Sequence, residues 1–304
     1  MALAGLDLYA GAARLPRSPQ PPSVATIGGS CLRDHGGTGP PLLLVPSLIN
    51  PPHILDLDRD TSLAAALTAN RRVLLLDWGK ASERANLSIA GHIESILVPL
   101  IEGLDAPPAL LGYCLGGTMA IAAAGLTKID RLATLAAPWH FAAYSDESRA
   151  ALARIWTSAR GPAASLGALP MEVLQAAFWA LDPGRTVAKF AHFAELDPAS
   201  DDARRFVMLE DWANEGEPLP LAAARELVED LFGADLPGRG QWQVGGRAAS
   251  VGPALHLIAA NDHIVPAATA PAGTVSTIAS GHVGMIVGRA RHALHAELNA
   301  FLAD

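Results

Sequence analysis

Charge is scarce in this chain. Only 17% of its 304 residues are Asp, Glu, Lys or Arg, against about 25% in ordinary globular proteins. The formal net charge is -8 and no run of basic residues stands out, which excludes nucleic acid as a partner, because binding a row of phosphates takes a clustered Lys/Arg footprint. Cysteine is scarcer still. Cys31 and Cys114 are the whole complement, giving neither a disulfide framework nor zinc-ligand spacing, so no metal or haem site is expected and a reducing cytoplasm fits best. The first residues lack a basic segment followed by a long apolar one, so no secretory signal is read there. Residues 106–127 carry no charge and approach the ~20 residues of a membrane span. Pro107, Pro108, Gly112, Gly116 and Gly117 interrupt them, and a buried parallel strand running into a buried helix explains the same apolarity without a transmembrane segment.

What the chain does have is alanine, leucine and a regular alternation. Half of its residues are hydrophobic, enough for one substantial core at this length. Residues 1–22 are rich in Pro and Ala and read as a weakly ordered lead-in. Residues 23–27 and 31–33 fit a hairpin across Gly28 and Gly29, with Cys31 in a strand. Short apolar strands follow at 42–45, 73–77, 110–113 and 131–136, with helices at 62–68 and 92–104 between them. From about 138 to 246 the pattern turns helical, before strand character returns at 255–259 and 274–278 and a closing helix runs from about 287 to 302. The expected fold class is α/β: an α/β-hydrolase fold over residues 23–304, with a doubly wound, mostly parallel sheet and a helical lid inserted at about 138–246. Such a lid lies over the C-terminal edge of the strands, where open α/β sheets place their ligands.

The chemistry centres on Gly112-Tyr113-Cys114-Leu115-Gly116-Gly117. Strand, sharp glycine-bounded turn and helix in that order make a nucleophile elbow, with cysteine in place of the usual serine. The turn strains the nucleophile's backbone and brings strand and helix together, which a β-carbon at the flanking glycines would obstruct. At a helix N-terminus the thiolate is favoured. The alternative is a buried, inert structural cysteine; what weighs against it lies downstream. Asp262 stands just past the strand 255–259 and His282 just past the strand 274–278, in the chain order nucleophile, acid, histidine. Asp262 would fix the tautomer of His282, and His282 would take a proton from the thiol or from an incoming hydroxyl. His263 is the rival base, but adjacent residues do not readily present their side chains to each other. Two backbone N–H groups, from Leu115 and Leu48, are the candidate oxyanion donors, with Ser47 as the alternative to Leu48. Trp78, Trp139, Trp212 and Trp242 either line an acyl channel or fill the core.

Together these segments resemble the catalytic subunits of the polyhydroxyalkanoate synthases, particularly the short type that works with a helper subunit. The likeness is carried by residues 42–50, 54–57 and 74–79, the Cys114 box, Met208-Leu209-Glu210-Asp211-Trp212-Ala213-Asn214, residues 262–266 and Ser280-Gly281-His282-Val283-Gly284. The resemblance implies a Cys114, Asp262, His282 triad with oxyanion donors Leu48 and Leu115, and no cofactor. It implies a 3-hydroxyacyl-CoA thioester as substrate, a growing polyester chain as acceptor, a helper subunit or a homodimer as partner, and a cytoplasmic, polyester-granule location. Trp78, Tyr113, His140 and Trp212 are the candidate substrate-binding residues. No basic cluster stands out for the CoA phosphates, and Arg185, Arg204, Arg205 and Arg289 read as solvated surface. Two alternatives remain: a thioesterase or esterase passing the acyl group to water, and a non-catalytic granule-associated relative.

Overall fold

The computed structural model describes residues 1–14, 16–17, 19–181 and 183–303. Its centre is an eight-stranded sheet. In chain order the strands are β1 (Ser23–Ile27), β2 (Ser30–Asp34), β3 (Pro41–Val45), β4 (Arg72–Asp77), β5 (Ala109–Tyr113), β6 (Leu132–Leu135), β7 (Leu255–Ala259) and β8 (Thr274–Ile278). They lie side by side as β1-β2-β4-β3-β5-β6-β7-β8. The β1–β2 hairpin joins β4 antiparallel, and every pairing from β4 to β8 is parallel.

The central strands are apolar on both faces because helices cover both. Along β3, Leu43 and Val45 enter one hydrophobic layer while Leu42 and Leu44 enter the other, the period-two alternation of a pleated strand. One layer is closed by helix α2 (Leu115–Ala124), through Met119 and Ile121. The opposite layer is closed by the C-terminal helix Arg291–Ala303, through Leu294, Leu298 and Leu302 at four-residue spacing. Each such leucine, once fully buried, contributes about 1.5–3 kcal/mol of transfer free energy.

Sequence and structure part company at several ends. The segment 1–22, read as a weakly ordered lead-in, carries helix α1 (Ala2–Gly11). The helix expected at 92–104 starts earlier, at Ile89, because the Ser88 hydroxyl caps the N–H of Gly91. It also widens into a π turn at Ile93–Leu97, just ahead of Pro99, which has no N–H to donate. The closing helix breaks at the extended Gly288 into Gly284–Val287 and Arg291–Ala303.

Between β6 and β7 the chain forms a helical insertion. Its main helices are α3 (Asp146–Leu166), α4 (Met171–Leu181), α5 (Pro183–Phe193) and α6 (Asp201–Asn214). Ser145 and Ser200 cap α3 and α6 by accepting the N–H groups of Ser148 and Ala203, and Gly167 closes α3 at φ 75°. Helix α1 packs on α5. A β-carbon at Gly5 would sit 1.9 Å from the Phe190 carbonyl oxygen, so glycine is what lets the two backbones approach. The Tyr9 hydroxyl donates to Asp211 on α6 at 2.7 Å. Arg14 also reaches Asp211, so the first residues are tied to the insertion rather than to the sheet.

Candidate active site

The sheet reverses its winding between β3 and β5, and that is where a ligand crevice opens in an open α/β sheet. The register puts the relevant strand ends at one level. Val45 pairs Gly112, Tyr113 pairs Leu135, Leu257 pairs Leu135, and Ala259 pairs Ile278. The loops carrying Leu48, Cys114, Asp262 and His282 therefore leave from the same edge.

Cys114 adopts φ 55°, ψ -130° between β5 and α2, a conformation costing a non-glycine residue about 1–3 kcal/mol. Its neighbours show what over-determines it. A β-carbon at Gly112 would lie 2.4 Å from Gly117 Cα, one at Gly117 would lie 2.4 Å from Ala137 Cβ, and one at Gly116 would lie 2.2 Å from the Val45 carbonyl oxygen. The glycines allow α2 to pack directly on β5 and on the end of β3, and that packing holds the thiol up at the sheet edge.

His282 is 7% exposed. Its Nδ1–H donates to Asp262 Oδ2 at 2.7 Å, so Nε2 is the nitrogen left for other chemistry, and the ring and the Cys114 side chain line the same cavity. Asp262 is held from the other side, its Oδ1 accepting the N–H groups of Ile264 and Val265 at 2.8 Å each. Burial alone would push the imidazole down. The charge that Cys114 carries when ionised and the hydrogen bond to Asp262 override it and raise His282 to about 10. Adjacent Asp262, His263 is exposed and lines the crevice without pairing to that carboxylate.

The N–H of Leu115 is the first of α2 and that of Leu48 lies in the bend after β3; among the described residues neither donates a hydrogen bond. The Ser47 hydroxyl is turned inward to accept the Ile49 N–H at 3.2 Å. The Pro46 carbonyl is anchored by the indole N–H of Trp78 at 3.1 Å. Both segments leave the same sheet edge as Cys114, and an oxyanion hole is built from N–H groups left without an internal partner.

Residues 40–293 match the model of the alpha/beta hydrolase fold family. The chain belongs to the α/β-hydrolase family. Among curated relatives of this α/β hydrolase are poly(3-hydroxyalkanoate) polymerase subunits PhaC. That of Haloferax mediterranei is 26% identical over 279 residues, 83% of this chain and 56% of that protein. That of Haloarcula marismortui is 26% identical over 280 residues, 83% and 58% respectively. That of Thiocystis violacea is 26% identical over 270 residues, 81% and 76%. The chain thus spans little more than half the length of the first two. Of solved structures, a Bacillus megaterium epoxide hydrolase aligns with a TM-score of 0.59 at 14% identity, covering 92% of this chain and 99% of that one. A carboxylesterase from Nitrososphaera gargenis aligns at 0.55 and 17% identity, covering 93% and 98%. Those two are likenesses of fold.

In this α/β hydrolase a cavity of about 490 Å³ opens onto Cys114 and His282, between the loop after β3 and the helical insertion. Tyr113 and Trp212, both read from the sequence as substrate contacts, line it. The Trp212 indole is tied to the Pro51 carbonyl at 2.9 Å. Trp78 and His140 do not line it. Trp78 is core, packed edge-on to His92, and serves the site by bracing Pro46. His140 sits at the far side of β6, where its N–H binds Thr269. Trp139 and Trp242 pack on each other in the core, ring centres 6.2 Å apart.

Other lining residues were not singled out from sequence. Phe178 and Trp179 supply apolar wall from α4, and Lys189 of α5 bonds both oxygens of the buried Glu210 carboxylate of α6 at 2.7 Å. No spacing rule announces that pair. Arg185 and Arg205, expected on solvated surface, are exposed but line the cavity as well. Among the described residues no cluster of His, Cys, Asp and Glu could hold a metal ion, and no helix is long and apolar enough to cross a membrane.

Proposed function

We propose that this chain is an acyltransferase of the polyhydroxyalkanoate synthase type, which moves 3-hydroxyacyl groups from CoA thioesters onto the hydroxyl end of a polyester through an acyl-enzyme on Cys114. The observation that carries the reading is the strained Cys114 elbow facing a His282 that is itself oriented by Asp262. The PhaC names of the relatives point to the same reaction class.

The steps follow from the geometry. The Cys114 thiolate attacks the thioester carbonyl carbon, and the oxygen takes the negative charge against the N–H groups of Leu115 and Leu48. The bond to the CoA sulfur breaks, and the imidazolium of His282 gives that sulfur its proton. The acyl-enzyme is again a thioester, close in energy to the one consumed, so the acyl group is stored rather than lost. A chain-end hydroxyl then gives its proton to His282 Nε2 and attacks the acyl carbon; the bond to Cys114 Sγ breaks and the thiolate–imidazolium pair is restored. The insertion acts as a lid whose apolar wall of Phe178, Trp179, Leu209 and Trp212 keeps water from the acyl-enzyme.

Incubating the purified chain with 3-hydroxybutyryl-CoA, while following CoA release and sizing the product, tests the reading. Oligomeric ester with stoichiometric CoA is expected. Free 3-hydroxybutyrate alone would instead make the protein a thioesterase, and equal turnover by Cys114→Ala would make the triad irrelevant.

A further inference from the structure

The residue before the nucleophile has a second relation to the site. The Tyr113 ring lies against the His282 imidazole, with ring centres 5.0 Å apart and planes 30° apart. Its hydroxyl makes only a 3.4 Å bond to the His282 carbonyl oxygen. Tyr113 is 2% exposed, so the ring cannot move away without opening the core. An aromatic face within about 6 Å of a cation attracts it through the ring quadrupole, by an amount that grows when water is excluded.

We propose that Tyr113 is a positioning residue that stabilises the charged form of the His282 ring through its aromatic face, and so helps hold Cys114 as a thiolate in the resting enzyme. The inference rests on the Cys114–His282 pair of the proposed function and deepens it. A neutral imidazole would gain little from the same face. The other titratable groups around the ring are Cys114 and Asp262, with Tyr144 close enough to feel the charge of both. On the cavity side stand His263, Arg185, Lys189, Arg205 and Glu210. Burial, and then the charges of Cys114 and Asp262, keep both phenols well above their usual range, so each stays neutral and the Tyr113 contribution is one of ring electrons, not of phenolate charge.

The test needs no acyl substrate. The rate of Cys114 alkylation by iodoacetamide is measured against pH for the full chain, Tyr113→Phe, Tyr113→Leu, and chains carrying mono-, di- and trifluorinated phenylalanine at position 113. The fluorinated rings keep shape and burial while draining the face of negative potential, so the comparison survives if Tyr113→Leu does not fold. The expected result is a Tyr113→Phe midpoint equal to wild type and a stepwise rise with fluorination, totalling about one pH unit. A flat fluorination series, or a Tyr113→Phe shift as large as that of Tyr113→Leu, overturns the proposal. His282→Ala separates the two levels: if it leaves the wild-type profile unmoved, the Cys114–His282 pair itself fails; if it moves the profile and fluorination does not, only the role of Tyr113 fails.

Discussion

Replacing Gly116 with alanine places a β-carbon 2.2 Å from the Val45 carbonyl oxygen and 2.4 Å from that of Pro46. Both neighbours are backbone, so no rotamer change relieves the contact, and α2 must separate from the end of β3 by about 1 Å to regain ordinary packing. Forced overpacking of this kind costs about 1–3 kcal/mol of stability. The catalytic cost is expected to be larger. The displaced segment leads into Leu48, one of the two free N–H groups, while Leu115 rides on α2. Spreading the two by about 1 Å removes one oxyanion donor, a loss on the order of 10²–10³ in rate. Cys114 caps the same helix, so alkylation of the thiol should slow as well, but by less than the factor lost in CoA release from 3-hydroxybutyryl-CoA. A Gly116→Ala enzyme that folds and turns over at the wild-type rate would refute the oxyanion assignment.

Three further outcomes are expected. Asp262→Asn keeps its carbonyl oxygen on the Ile264 and Val265 N–H groups and so turns its NH₂ toward His282 Nδ1, reversing the tautomer; turnover should drop by roughly 10³–10⁴ and the His282 titration seen by NMR should move down, since Asp262 is among the groups raising it. His92, fully buried, accepts from Arg84 through Nε2 and donates to the Ser88 carbonyl, and burial first, then Arg84, lowers it to about 4 from 6.5; the unfolded chain therefore binds the proton first, so stability is full above pH 6.5 and falls by about 3 kcal/mol as pH drops toward 4, a slope in urea denaturation that His92→Gln should flatten and that an unchanged slope would contradict. Tyr9→Phe removes the 2.7 Å bond to Asp211 at about 1 kcal/mol, and hydrogen exchange should quicken in α1 and α6 but not in β5; unaltered exchange would show that the N-terminal helix does not brace the insertion.

Much of the sheet and of the site can be read from the residues because the signals are local. Gly112 is demanded by Gly116 and Gly117 just after Cys114, Gly117 by Gly112 and by Ala137 past the next strand, and Gly116 by the end of β3. Asp262 and His282 each follow a short apolar strand, and parallel pairing in register turns that sequence order into proximity. What stayed hidden depends on long-range partners. Helix α1 has no charge pattern or side-chain cap to announce it, and it exists against Phe190 and Asp211, some two hundred residues away. Trp78 reads equally well as channel wall or core until its indole is seen on Pro46, 32 residues upstream. Arg185 of α5 and Arg205 of α6 read as solvated surface because, although the insertion is expected over the sheet edge, nothing in their spacing shows which of its faces lines the cavity.

Acylation of Cys114 is read most directly from the mass of the intact chain, and of its Cys114 peptide, after brief mixing with 3-hydroxybutyryl-CoA and acid quench. A 3-hydroxybutyryl adduct is expected on Cys114, forming with CoA release and absent from Cys114→Ala. CoA release that proceeds with no adduct on Cys114, and at the same rate in Cys114→Ala, would contradict it.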